Sequence, residues 1–125
     1  MKTYLVLMFG LMLAGCTARI PDISSADSAL VVVHMMIANR DMPERAELSV
    51  GQIAGLAKWL QEHDSGWTKK FEDTAPATEI YLKRSGANLA YVNIHPDFVQ
   101  VGGLYRSLTA DERSTLQAII DNKNE

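Results

Sequence analysis

Histidine and cysteine are the side chains most able to do acid–base, nucleophilic or metal chemistry, and this chain has three of one and one of the other. His63-Asp64-Ser65 contains the residue types of a hydrolase triad. Adjacent residues point in different directions, and a triad is assembled from distant positions. The tripeptide therefore reads as a polar helix end. His95-Pro96-Asp97 sets an imidazole near a carboxylate that could orient it for base work. Proline and aspartate are also ordinary turn formers, and turn is the preferred reading. His34 lies in an apolar run, where it is either a ligand or proton carrier or a core-edge histidine with one hydrogen bond. The second reading is preferred. Cys16 is the only cysteine, so no disulfide within the chain and no zinc–cysteine site is expected. The sequence has no HExxH, no paired histidines at ligand spacing and no calcium loop. Gly102-Gly103 leads into Leu104-Tyr105-Arg106 and not into a phosphate-loop lysine, and no serine sits in a GxSxG elbow. Glu72-Asp73 are sequence neighbours with no mark of a cleft. The expectation is a protein that is not an enzyme, with no metal and no cofactor.

The N-terminus carries a different kind of chemistry. Met1-Lys2-Thr3 places one positive charge before an uncharged apolar run from Tyr4 to Gly15. That order is a basic region, an apolar core and a small-residue cleavage zone, as in a secretion signal. The run is well short of the roughly 20 residues a helix needs to cross a bilayer. Leu13-Ala14-Gly15-Cys16 resembles the lipobox of bacterial lipoproteins. The resemblance covers the first sixteen residues and is silent about the rest. It implies that the Cys16 thiol is acylated and that signal peptidase II, recognising Leu13, Ala14 and Gly15, removes residues 1–15. Thr17 stands where an enteric-type retention signal would have aspartate, which implies the periplasmic face of the outer membrane. Two or three acyl chains suffice for a stable anchor where one does not.

Charge narrows the partners. Without Lys2, the mature chain keeps fifteen acidic residues against eleven basic ones. The basic residues are scattered, with short pairs at Lys69-Lys70 and Lys83-Arg84. A nucleic-acid binder concentrates them on one face. No nucleic-acid partner is expected.

The elements follow from pattern. Thr17 to Asp27 reads as part of a tether, residues 16–27, ahead of a single domain at 28–125. Ser28 to Ala38 holds three consecutive valines and favours a strand. A continuous apolar run also fits a buried helix, and periodicity does not decide between them. Asn39 to Glu47 is polar, carries Pro43 and reads as a loop. Ser49 and Gln52 form a capping box, with Leu48 and Ile53 as a hydrophobic staple. Ile53, Leu56, Ala57 and Leu60 then make an apolar helical stripe with Trp59 beside it, ending at Asp64-Ser65-Gly66. Gly51 and Gly55 suggest close approach of this helix to the sheet. Trp67 to Ala77 is mixed, and Pro76 argues against a central strand. Thr78–Arg84, Ala87–Ile94 and Phe98–Tyr105 read as three strands, with turns at Ser85-Gly86 and His95-Pro96-Asp97 and a bulge at Gly102-Gly103. Thr109 and Glu112 cap a last helix whose stripe is Leu116, Ile119 and Ile120, followed by a polar end from Asn122. The expected fold is α+β. It is a small two-layer sandwich, with an antiparallel meander of three to four strands covered on one face by two helices.

Alternation puts Tyr81 and Lys83 on one face of their strand, and Tyr91 with Asn93 on one face of the next. If the strands pair with these faces together, a tyrosine-rich surface results, either a binding surface or a stabilising cross-strand pair. Trp67, Tyr105 and Arg106 are further anchor candidates, since Trp, Tyr and Arg dominate interface hot spots. Two functions stay open. One is a membrane-anchored inhibitor or immunity protein against a toxin or wall-degrading enzyme, with one protein partner in the periplasm. The other is a structural accessory lipoprotein of an envelope secretion or assembly complex.

Overall fold

The computed structural model describes residues 19–69 and 77–121. The lipobox, Glu72-Asp73, Pro76 and the polar end from Asn122 lie outside these residues. Seven strands form one antiparallel sheet: β1 (Ser28–Ile37), β2 (Arg40–Glu47), β3 (Thr68–Lys69), β4 (Thr78–Arg84), β5 (Ala87–Ile94), β6 (Phe98–Val101) and β7 (Leu104–Ser107). Their spatial order is β2-β1-β4-β5-β6-β7-β3. Helix α1 (Val50–Glu62) follows β2, and helix α2 (Ala110–Asp121) follows β7.

This corrects the expected sheet of three to four strands covered by two helices. The protein is mostly sheet, and three of its strands are missing from the sequence reading. Strand β2 was hidden by Pro43 and by its exposed, charged composition. It is an edge strand, where the N–H that proline lacks need not donate to a neighbouring strand. Its tight turn to β1 uses Ala38 and Asn39 at φ of 53° and 62°, without the usual glycine. Strands β6 and β7 read as one because Gly102-Gly103, taken for a bulge, reverses the chain between them. Strand β3 is two residues long and has no pattern to find.

Register sorts the residues by face. Val31 lies opposite Ile80, Ile80 opposite Val92, and Val92 opposite Val101. All four are at most 5 % exposed. They form the floor of the core beneath Ile53, Leu56, Leu60, Leu116 and Ile120 from the helices. Burying each such side chain is worth about 1.5–3 kcal/mol.

The helices begin as their sequences dictate. Ser49 Oγ accepts from Gln52 N–H and Gln52 Oε1 accepts from Ser49 N–H, so the capping box is complete. Thr109 and Glu112 repeat the arrangement at α2. Gln52 also donates to the carbonyls of Ile119 and Ile120, tying the start of α1 to the end of α2. Gly55 allows the close approach, but to α2 and not to the sheet. A Cβ there would lie 3.3 Å from Ile119 Cγ2.

The segment read as a tether belongs largely to the domain. Ile23 is 2 % exposed and joins the core, and Ile20 and Ala26 pack against it. Asp27 N–H donates to Lys83 C=O and Ser85 N–H donates to Asp27 Oδ2, fastening this strap to the β4–β5 turn. Ile23→Ala is expected to cost about 2–4 kcal/mol in urea unfolding, whereas Pro21→Ala stays within about 0.5 kcal/mol. Equally small effects would place the strap outside the cooperative unit.

Candidate functional site

The helices pack on one sheet face, and the opposite face holds the richest polar cluster. Strand β4 sends Thr78, Ile80 and Leu82 toward the helices, so Glu79, Tyr81 and Lys83 project from the open face. Tyr81 is directly opposite Tyr91, and Glu79 directly opposite Asn93. On the other side Glu79 faces Val32, and His34 follows two residues on along β1. The expected pairing of the two tyrosines therefore occurs, with ring centres 5.3 Å apart and planes tilted by 56°.

Glu79 organises this surface, and nothing in the sequence reading singled it out. Its Oε2 accepts from Tyr91 OH at 2.6 Å and from Tyr81 OH at 2.9 Å. Its Oε1 accepts from His34 Nε2. The Glu79 side chain is 12 % exposed and that of His34 is 19 % exposed. Burial pushes the pKa of Glu79 up, but hydrogen bonds from Tyr91, His34 and Tyr81 outweigh it. The carboxyl is held below its ordinary value of 4.5. The hydrogen bond to Glu79, helped by burial, raises the phenol of Tyr81. Burial first, then Glu79, raises Tyr91 further. Acid–base catalysis favours groups that titrate near working pH. These groups are pushed the other way. The carboxylate stays ionised, the phenols stay protonated, and the unit is a rigid polar anchor.

Around it runs a shallow groove of about 470 Å³. Leu30, Val32 and Pro43 give it an apolar floor and wall, and His34, Arg45, Glu79, Tyr81, Lys83 and Asn88 give it polar groups. Among the described residues, Arg45 and Lys83 make no side-chain hydrogen bond or ion pair. Arg45 acts on the anchor through its charge alone, which pulls the Tyr81 phenol down against the larger upward effects of Glu79 and burial. A second cavity of about 680 Å³ opens where the helix ends stop short of β1 and β2, beside Val31, Val33, Leu48, Gln52 and Ile120. Neither contains a nucleophile oriented by a base. Among the described residues, no group of three His, Cys, Asp or Glu could hold a metal ion.

The other candidates separate. Trp67 is 6 % exposed and donates from Nε1 to His63 C=O at 2.7 Å. Arg106 lies on the helix side, bonded to Ser65 C=O at 3.0 Å and to Glu112 at 2.9 Å, with its guanidinium 5.8 Å from the Trp59 ring centre. Both belong to a packing latch. Tyr105 shares the open face but is 5 % exposed, against Phe98. Tyr81, Lys83 and Tyr91 are thus the three that share the open face; Tyr81 and Lys83 line the groove, and Tyr91 packs beside Tyr81. His63 stacks on Trp59 at 4.0 Å and its Nδ1 meets Trp59 C=O, so His63, Asp64 and Ser65 form no triad. His95 meets Asn93 at 3.0 Å and stacks on Phe98. Glu79 was detectable in principle, since it is the only acidic residue in the alternating part of β4. Its role depends on β1 being its neighbour, and that pairing spans more than forty residues.

A carboxyl whose folded value is depressed contributes stability that is complete above its unfolded value and disappears as pH falls through the folded one. Glu79→Gln is therefore expected to cost about 1.5–3 kcal/mol at pH 7. The gap from wild type should narrow as pH drops below 4.5. Urea unfolding across pH 3–7 checks this, and a pH-independent difference would contradict it. The chain matches no protein-family model, no curated protein and no solved structure.

Proposed function

We propose that the chain is a lipid-anchored periplasmic binding module that engages one protein partner through the open sheet face. Its most concrete form is an inhibitor or immunity protein against a toxin or wall-degrading enzyme. The observation that carries this reading is the Glu79-centred anchor beside the groove. Glu79 fixes Tyr81 and Tyr91 before any partner arrives. Immobilised aromatic side chains lower the ordering cost of binding. The groove joins an apolar floor to two cations, Arg45 and Lys83, that suit an acidic segment of a partner.

The accessory reading would use strand addition at a sheet edge. Edge strand β2 carries Pro43 and the exposed charges Arg40, Glu44, Arg45 and Glu47. Proline and charge are devices that block edge pairing. The open face is therefore favoured over the β2 edge.

A photo-crosslinking residue at Asn88 is expected to give one discrete periplasmic adduct, and one at Ala118 on α2 none. Tyr81→Ala should weaken the isolated complex at least tenfold, in keeping with roughly 2 kcal/mol for a central aromatic. Adducts from Ala118 alone, or none from the groove, would count against the proposal. For the anchor, Cys16→Ser should abolish incorporation of labelled fatty acid. Persistent labelling would refute lipidation at Cys16.

A further inference from the structure

The anchor is short and enters the domain at one end, which fixes how the domain stands on a membrane. Only Thr17, Ala18 and Arg19 separate Cys16 from Ile20, and Ile20 packs against the core. Four peptide steps span at most about 13 Å. From Ile20 to Ile23 the strap lies along Ala57, Leu60 and Gln61 of α1 and Asp64 just beyond it. On the opposite flank of that helix, Gln52 and Gly55 meet α2. The strap then joins the β4–β5 turn through Asp27 and Ser85. Strand β1 starts there, with Ser28 opposite Lys83, and runs away from the turn for ten residues. At about 3.3 Å per residue, the β1–β2 hairpin tip lies roughly 30 Å from the β4–β5 turn.

We infer that the β4–β5 turn end of the domain rests on the phospholipid headgroups, with the strands rising from the bilayer and the β1–β2 hairpin pointing away. This rests on the lipidation of Cys16. Charge at that end is mixed: Arg19 and Arg84 are exposed and Lys83, next to Arg84, is half-buried, while Glu47 at the end of β2 and Asp64 beside the strap are exposed acids. Asp22 and Asp27 are the acidic residues of the strap, and each accepts a backbone N–H, from Ser24 and Ser85. Basic residues near anionic lipid are drawn to its surface. The groove then opens sideways, and a partner reaches it by moving along the membrane plane.

The test uses the acylated mature protein in vesicles of phosphatidylethanolamine and phosphatidylglycerol, with nitroxide on the lipid headgroups. Acylation consumes the Cys16 thiol, so Ala87→Cys and Arg40→Cys each offer one site for a fluorophore. Fluorescence at position 87 should be quenched several-fold more than at position 40. Hydrogen exchange of the unsubstituted protein should show vesicle-dependent protection at residues 84–88 and none at 38–40. Equal quenching, or stronger quenching at position 40, overturns the inference while lipidation stands. A Cys16 without lipid by mass spectrometry overturns both.

Discussion

Strand β4 cannot shift by one residue in its pairing, and most of the molecule depends on that. A one-residue slip turns every side chain to the other face. In β4 it would drive Glu79, Tyr81 and Lys83 into the core and expose Ile80 and Leu82, both of which have no solvent contact. The hydrophobic floor and the polar anchor are thus set by the same alternation. The floor holds the helices, and the anchor shapes the open face. Glu79 adds a second penalty to a slip, because a carboxylate moved away from Tyr81, Tyr91 and His34 would be buried without donors.

The helix layer is locked by a separate set of contacts at the other side of the sheet. Arg106 from β7 reaches Ser65 C=O beyond α1 and Glu112 at the start of α2. Glu112 also accepts from Thr109 N–H, so one carboxylate caps α2 and ties it to the sheet. The Thr109 backbone bond is the largest cause holding the Glu112 carboxyl below its ordinary range, opposed by burial and supported by Arg106. The His63 ring stacks on Trp59, and the Arg106 guanidinium lies 5.8 Å from the Trp59 ring centre. This explains why Trp67 and Arg106, which have the composition of interface anchors, are spent on packing. Residue type alone does not separate a hot spot from a latch. The separation comes from which sheet face each position occupies.

Local features were legible in the sequence and distant ones were not. Both capping boxes, the helical stripes, the Ser85-Gly86 turn and the β4–β5 hairpin depend on residues close in sequence. The strand count failed where local rules were broken. Pro43 disguised an edge strand, Ala38-Asn39 made a glycine-free turn, and two residues of β3 carried no period. The tyrosine pair was legible only on the condition that the two faces coincide, because the turn register would set Tyr81 against Ala90 and a bulge between Leu82 and Lys83 moves it to Tyr91. The carboxylate between those tyrosines and His34 was not, because β1 reaches β4 only after β2, α1 and β3 have intervened. Ile23 was missed for a similar reason. A lone isoleucine among small polar residues has no periodicity, yet it fills the gap beside Leu60.

The electrostatics of the anchor bear directly on the choice between catalysis and binding. A catalytic carboxylate or histidine must exchange a proton, so its surroundings leave both protonation states accessible. Glu79 receives three hydrogen bonds that all favour the ionised form. Tyr81 and Tyr91 donate to that same carboxylate, and losing either proton would set two negative charges against each other. Each group therefore stabilises the ordinary protonation state of the others. Glu79 and the two phenols thus resist exchanging protons, and they hold the two aromatic rings in place. Rigidity of that kind is useful when the rings are the surface that a partner must fit, and the groove beside them, with Arg45 and Lys83 unengaged, is where that fit would be made.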